Sequence, residues 1–188
     1  FVDGDRKLHG KDILASHLGC PDIIVYPEKV EQIQWLCNHA TEYSIPLIPY
    51  GLGSSIQGNT CALQGGICID MSRMNRVLEF NPEDRIIRVQ AGLSKNALAD
   101  YLMESNLFLP IEIGNCDASV GGMIATNASG SLSAAYGCMK DCVLGLKVVT
   151  ASGELISTGR QALCSATGFQ LGNLFVGAEG TLGVVVEV

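Results

Sequence analysis

The chain has 188 residues, 47% of them hydrophobic and 16% charged, which is enough to bury a core and too apolar for a disordered segment. Twelve basic and 19 acidic residues leave a net charge of −7 with no basic cluster, which excludes nucleic acid as a partner. Glycine stands out at 22 residues, about 12% against a usual share of about 7%, and implies loops where the backbone turns tightly or approaches something closely.

The eight cysteines (Cys20, Cys37, Cys61, Cys68, Cys116, Cys138, Cys142, Cys164) contain no C-x-x-C pair. The histidines, His9, His17 and His39, lie away from most of them. That spacing favours free thiols in a reducing compartment over a zinc site or a disulfide framework, and no metal is expected. The first residue is Phe1 and the pattern runs on at Val188, as expected of part of a longer protein.

In chain order, residues 1–20 are weakly patterned. Asp22 to Tyr26 reads as a buried strand closed by Pro27. A helix follows, with Val30, Ile33, Leu36, Cys37 and Ala40 at three-to-four spacing, broken by Ser44 to Pro46. Leu47-Ile48 starts a second strand that enters a glycine-rich loop, and Gly66 to Asp70 forms a third, giving a β-α-β-β lobe that is parallel in part. Val77 to Phe80 and Arg85 to Val89 flank the turn signal Asn81-Pro82-Glu83-Asp84. Ser94 caps a helix through Glu104 with Leu98, Tyr101 and Leu102 on one face. Val143 to Thr150 and Leu155 to Ser157 form a second hairpin, and Thr181 to Val186 a last β-branched strand. Ala118 to Met139 is uncharged and long enough to span a bilayer, but its Gly and Ser content makes it a loop-rich binding surface instead. Asn127-Ala128-Ser129 fits a glycosylation sequon, placed in what reads as a buried turn.

The loop Tyr50 to Gly58 admits four readings. A P-loop would need a Lys where Asn59 stands. A dinucleotide fingerprint begins with Gly51 and Gly53, and Asp70 lies about twenty residues on, but Ile56 occupies the third glycine position and no helical pattern follows. A nest of backbone N–H groups around a pyrophosphate, helped by Ser54 and Ser55, is the third, and an ordinary glycine turn the fourth. Two more surfaces of small residues, Ala118 to Gly130 and Glu179 to Val185, suit a large, flat ligand held by backbone hydrogen bonds.

Taken together, Pro49-x-Gly51-x-Gly53-Ser54-Ser55-x-x-Gly58, Ser119-Val120-Gly121-Gly122-x-x-Ala125-Thr126-Asn127-Ala128-Ser129-Gly130 and Glu179-Gly180-Thr181-Leu182-Gly183-Val184 resemble the three signatures of the FAD-linked oxidases, the vanillyl-alcohol oxidase and p-cresol methylhydroxylase (PCMH-type) flavin fold. The branch most resembled is the one with the cytochrome-linked D-lactate dehydrogenases and the glycolate oxidase FAD subunits. The resemblance implies an α+β fold of two lobes, a small β-α-β-β lobe over about 20–75 and a larger lobe of mixed or antiparallel sheet with helices over about 76–188, with a substrate domain beyond it. It implies non-covalent FAD, no His standing in the first loop. Pro49, Tyr50, Gly51, Leu52, Gly53, Ser54, Ser55 and Gly58 would cradle the pyrophosphate. Ile113, Gly114, Asn115, Cys116, Asp117, Ala118 and Ser119 would line the flavin and its phosphates. Thr126, Asn127, Ala128 and Ser129 would bond the ribityl or phosphate region, Gly121, Gly122 and Ala125 would also bind the cofactor, and Glu179, Gly180, Thr181, Leu182, Gly183, Val184 and Val185 would close over the adenine or isoalloxazine.

This chain departs from that pattern at Glu112-Ile113-Gly114, where Asp-Pro-Gly is usual, at Ser54, where Thr is usual, and at Asn115 and Cys116, where relatives have small residues. The implied reaction is hydride transfer from a 2-hydroxy acid to flavin N5, with electrons passing on to a cytochrome, a quinone or an electron-transfer flavoprotein. D-Lactate leads glycolate, D-2-hydroxyglutarate and alkylglycerone-phosphate chemistry, and a flavin-binding module without turnover is the other class. No catalytic residue is expected in this chain, because the substrate base and cation belong to the substrate domain. Glu112 and Asp117 are expected to make loop and cap hydrogen bonds. Bacterial cytoplasm, mitochondria and the face of a membrane all fit, with no membrane span.

Overall fold

The computed structural model describes residues 3–11, 19–114, 117–162, 166 and 168–188. A short helix, α1 (Asp3–His9), leads in, a helix for which the weak patterning of the first residues gave no signal. Strands β1 (Ile23–Val25), β2 (Leu47–Tyr50) and β3 (Ile67–Asp70) form a parallel sheet in the order β1-β3-β2. The crossover from β1 to β2 is α2 (Val30–Glu42), begun where Gln32 Oε1 accepts from the N–H groups of Glu28 and Lys29. It ends as Ser44 turns left-handed at φ 54° and Ile45 N–H donates to the Ala40 carbonyl at 2.8 Å. Asp70 then caps a single 3-10 turn, Met71–Arg73, by accepting from Ser72 N–H.

The hairpin of β4 (Val77–Asn81) and β5 (Ile86–Val89) turns where Asn81 Oδ1 accepts from the N–H groups of Glu83 and Asp84. Ser94 Oγ caps α3 (Lys95–Met103), which buries Leu98 and Leu102. Tyr101, expected on the same face, packs on Phe80 and stays 39% exposed. Three short helices follow: α4 (Val120–Ala125), α5 (Ser133–Tyr136) and α6 (Met139–Cys142). Strands β6 (Gly145–Val149) and β7 (Leu155–Gly159), helix α7 (Gly172–Phe175) and strand β8 (Val184–Glu187) complete the chain, with an antiparallel sheet in the order β7-β6-β8. The ends of β5 and β8 exchange hydrogen bonds between Val89 and Val188 at 2.9 Å in both directions.

Three expectations need correction. The first strand, expected buried, lies at the edge of its sheet and leaves Ile23 40% and Tyr26 37% exposed. The uncharged stretch after Ala118 is not all loop, because Ser119 caps α4 and Val120, Met123 and Ile124 pack into the core. The last strand starts at Val184, since Thr181 N–H closes a turn on the Ala178 carbonyl. Among the described residues no helix is long and apolar enough to cross a membrane.

One buried cluster centres on α3, α4 and the hairpin. The other joins Ile33 and Cys37 of α2 and Ile69 of β3 to Ala91, Val149, Val184 and Val186, so it takes residues from both sides of residue 75. Each buried valine and isoleucine here contributes roughly 1.5–3 kcal/mol.

Cys37, Cys61 and Cys68 are buried and Cys20 is exposed; Cys116, Cys164 and His17 lie outside the described residues. Burial, with Asp70 adding to it, pushes the Cys68 thiol up to about 12 from 9.0. Burial also pushes the Tyr50 phenol up to about 12 from 10.0. Both groups keep their proton in the folded chain at pH values where the unfolded chain releases it, so their contribution is whole below about pH 9 and is lost as the pH rises toward 12. The urea unfolding midpoint is expected to fall steadily from pH 9 to 11, and Cys68→Ala to flatten that fall while lowering stability at pH 7.

Candidate functional site: a neutral groove between the sheets

A groove of about 420 Å³ runs between the carboxyl end of the parallel sheet and α4, and the approach to β8 also lines it. It gathers residues from all four predicted segments. Pro49 to Ser55 form one wall, and Ile113, Ala118, Ser119, Gly121, Gly122, Ala125, Thr126, Ala128 and Ser129 the floor. Glu179, Gly180, Gly183, Val184 and Val185 complete the lining, with Gly180 against Pro49. Gly58, Gly114, Asp117, Asn127, Thr181 and Leu182 do not line it, and Asn115 and Cys116 lie outside the described residues.

The residues left out of the groove have other work. Asp117 Oδ1 accepts from Asn96 and Ala118 N–H at 3.2 and 2.9 Å, and Glu112 pairs with Lys95 at 3.1 Å. Asn127, left-handed at φ 47°, accepts from Lys140 N–H at 3.1 Å, so the sequon asparagine is committed to a turn. Sequence reasoning did not find Gln57, Asn59, Thr60, Met71, Ala91, Met123, Phe175 or Ala178, nor Ile56 as a lining residue. For most of these nothing in the local pattern separates a lining residue from a core one. Asn59 and Thr60, as polar residues directly after the glycine loop, did carry a signal.

Glycine makes the groove possible. A Cβ on Gly51 would fall on Ser119 Oγ, the atom that caps α4 through Gly122 N–H at 3.1 Å. A Cβ on Gly53, whose φ is +66°, would fall on the Tyr50 hydroxyl. Glu179 is left-handed at φ 52°, held by its N–H on the Ala125 carbonyl at 2.9 Å.

The groove carries no Lys or Arg among its described lining residues, and Glu179 is the one charged residue there. The first amides of α4 are already spent: Val120 N–H on the Leu93 carbonyl, Gly121 N–H on that of Ala91, Gly122 N–H on Ser119 Oγ. In the turn the reverse holds. Among the described residues no backbone N–H from Leu52 to Ile56 has an acceptor, and the first that does is Gln57, on Ser55 Oγ at 3.2 Å. A run of unspent amides along a neutral groove is a donor set for an anion of distributed charge, which oriented N–H groups can hold without a cation. Deeper in, Asn59 Oδ1 and Thr60 Oγ1 are buried without a hydrogen-bond partner, and Thr60 is 7% exposed. Buried oxygens left so cost about 1–3 kcal/mol each, a debt that a polar ligand edge removes. No helix follows the turn, and Asp70 is held by Ser72 N–H and His9, which rules out the dinucleotide-fingerprint geometry. Among the described residues no group of three or more His, Cys, Asp or Glu could hold a metal ion.

These features define a neutral groove of mixed α and β construction, lined by small residues and backbone. Residues 21–159 match the FAD binding domain family, and the chain belongs to that family, with FAD as its cofactor. It is 42% identical over 98% of its length to a mitochondrial cytochrome D-lactate dehydrogenase of Arabidopsis thaliana, of which it covers 33%. Against a probable mitochondrial D-lactate dehydrogenase of Danio rerio it is 39% identical, covering 97% of this chain and 37% of that one. A solved structure of alkyldihydroxyacetonephosphate synthase superposes with a TM-score of 0.78 at 28% identity, over 93% of this chain and 34% of that one. The chain thus spans between a third and two fifths of the length of these relatives.

Gly53→Ala is expected to strain the turn by about 1 kcal/mol and to displace the Tyr50 ring. The dissociation constant for FAD should rise about tenfold, while the melting temperature of the flavin-free protein moves by only a few degrees. Flavin fluorescence titration beside calorimetry measures both.

Proposed function

We propose that the chain is the FAD-binding part of a flavin-dependent dehydrogenase of D-2-hydroxy acids, with D-lactate as the leading substrate. The observation that carries this is the 42% identity to a cytochrome D-lactate dehydrogenase, against 35% to D-2-hydroxyglutarate dehydrogenase of Stutzerimonas stutzeri and 32% to glycolate oxidase subunit GlcD of Bacillus subtilis. Bound FAD supplies the two-electron acceptor that converts the 2-hydroxy acid to the 2-oxo acid.

The residues of this chain bind and orient. The unspent amides from Leu52 to Ile56 hold the pyrophosphate, with Tyr50, Gly51, Ser54 and Ser55 shaping the cradle. Ile113, Ala118, Thr126 and Ser129 line the ring and ribityl side, and Glu179 to Val185 close the groove. Asn59 and Thr60 offer their unpaired oxygens to the cofactor's polar edge. No His stands between Pro49 and Gly58, in keeping with non-covalent attachment. The lobes divide near residue 75, and the substrate base and carboxylate-binding cation come from a separate substrate domain, as the greater length of the relatives suggests. Electrons leave for a cytochrome, a quinone or an electron-transfer flavoprotein. A mitochondrial or bacterial setting follows the relatives named above.

The test is the visible spectrum of the purified full-length protein, identification of the nucleotide released by acid, and anaerobic bleaching by candidate acids. The expected result is released FAD, bleached by D-lactate with pyruvate formed, and a kcat/KM at least about tenfold above that for glycolate or D-2-hydroxyglutarate. Preference for either of those acids would reassign the substrate, and a folded protein that refuses FAD would overturn the cofactor role of the groove.

A further inference from the structure

At the carboxyl end of the parallel sheet, next to the groove but outside it, His9 of α1 meets Asp70 of β3 across 61 positions of sequence. His9 Nε2 lies 2.7 Å from Asp70 Oδ2, and the two side chains are 11% and 8% exposed. Its Nδ1 lies 2.8 Å from the Asp5 carbonyl oxygen, which can only accept. Nδ1 can therefore donate to that carbonyl while Nε2 meets the carboxylate, in a contact largely shielded from water. The imidazole also packs on the Tyr50 ring with centroids 4.3 Å apart and planes at 39°, and meets Tyr26 edge-on at 6.3 Å. Arg73 lies 5.4 Å over the other ring of this cluster, Tyr26.

Tyr50 connects this cluster to the site. Its ring carries His9, while its hydroxyl fills the space a Cβ on Gly53 would need, inside the turn whose amides are unspent. Asp70 has a second hand on the groove, because its other oxygen accepts from Ser72 N–H at 2.8 Å and so fixes the turn that begins with the groove-lining Met71. Helix α1 is itself tied down: Arg6 Nε donates to the Pro21 carbonyl at 2.8 Å, and Gly19 N–H donates to that of Gly10 at 2.9 Å.

We infer that His9 is a positioning residue for the cofactor turn, a clasp by which the N-terminal helix holds Tyr50 and Asp70 and so keeps the amides from Leu52 to Ile56 aimed into the groove. The inference rests on the reading of that groove as the FAD site. An amide cradle acts through preorganisation, since donors that must be gathered at binding cost conformational entropy that donors already in place do not. The phenol of Tyr50 is neutral near pH 7, so the ring offers His9 an uncharged aromatic face.

The test compares His9→Ala with the parent in the full chain, by hydrogen exchange without flavin and by FAD titration. His9→Ala is expected to speed exchange of the amides between residues 50 and 58 about tenfold while α2 exchanges as before, and to raise the FAD dissociation constant about tenfold. His9→Gln, which keeps a donor for Asp70, should recover part of both effects. Should His9→Ala fail to fold, His9→Phe, which keeps a ring against Tyr50 and removes both donors, replaces it with the same expectation. Unchanged exchange in the turn, exchange that quickens equally in α2, or faster exchange with an unchanged FAD constant would each overturn the inference. A parent chain that binds no FAD would instead remove the flavin reading of the groove, and the flavin-free exchange would still decide whether His9 holds the turn.

Discussion

The structure depends on a close approach of main chain to main chain, made where glycine removes the side chains between. Gly51 comes against Ser119 and Gly122, Gly121 against Ala91, and Gly92 against the Met71 carbonyl. A Cβ on Gly92 or Gly121 would meet backbone, which cannot turn aside as a flexible side chain can. The seam draws the turn after β2, the cap of α4 and the strand running out of β5 into one wall. Because the wall is main chain, its chemistry is that of amides and small hydroxyls.

That wall gives an acidic chain a surface that an anion can approach. With a net charge of −7 and Glu179 on the groove, a fixed cation would seem the obvious remedy, yet no Lys or Arg lines the groove among the described residues, and Lys95, whose N–H donates to the Ala118 carbonyl, is paired with Glu112. Oriented N–H groups provide partial positive charge without a counterion to desolvate. The spent amides of α4 and the unspent ones of the turn divide the work: the helix holds the seam together, and the turn is left to bind.

Much of this arrangement could be read from the sequence, and the exceptions have physical causes. The strands at Ile23, Leu47 and Ile67 and helix α2 follow their hydrophobic spacing, and the hairpin turn at Asn81 follows its side-chain chemistry. Helix α4 was hidden because Gly121 and Gly122 are poor helix formers, so that only the Ser119 cap betrays it; tertiary contact with Ala91 requires glycine there. The groove was legible as three segments of small residues. Met71, Ala91 and Phe175, by contrast, join it from elements whose local pattern says only that they are apolar. His9 was equally silent, since a lone histidine in a short lead-in helix acquires meaning only when Asp70 and Tyr50 are brought beside it.

The width of the groove is set by the register of β8. Val184 and Val186 are buried in the core shared by α2 and β3, Val185 packs against both cores, and Val184 and Val185 both line the groove. A slip of one residue would exchange these faces, placing Val185 alone in the shared core and turning two valines outward. Three features resist the slip. Gly183 lies so near Val148 and the Val149 carbonyl that no other residue fits at the strand's start. The pairing of β6 and β8 is irregular between Lys147 and Val148, which lets Val185 oppose Val148 while Glu187 still opposes Lys147. The Lys147 ammonium then meets the Glu187 carboxylate at 3.0 Å, so the same irregularity that aims the valines completes an ion pair at the far end. This side of the groove is thus held in register by a glycine contact at one end and a charge pair at the other.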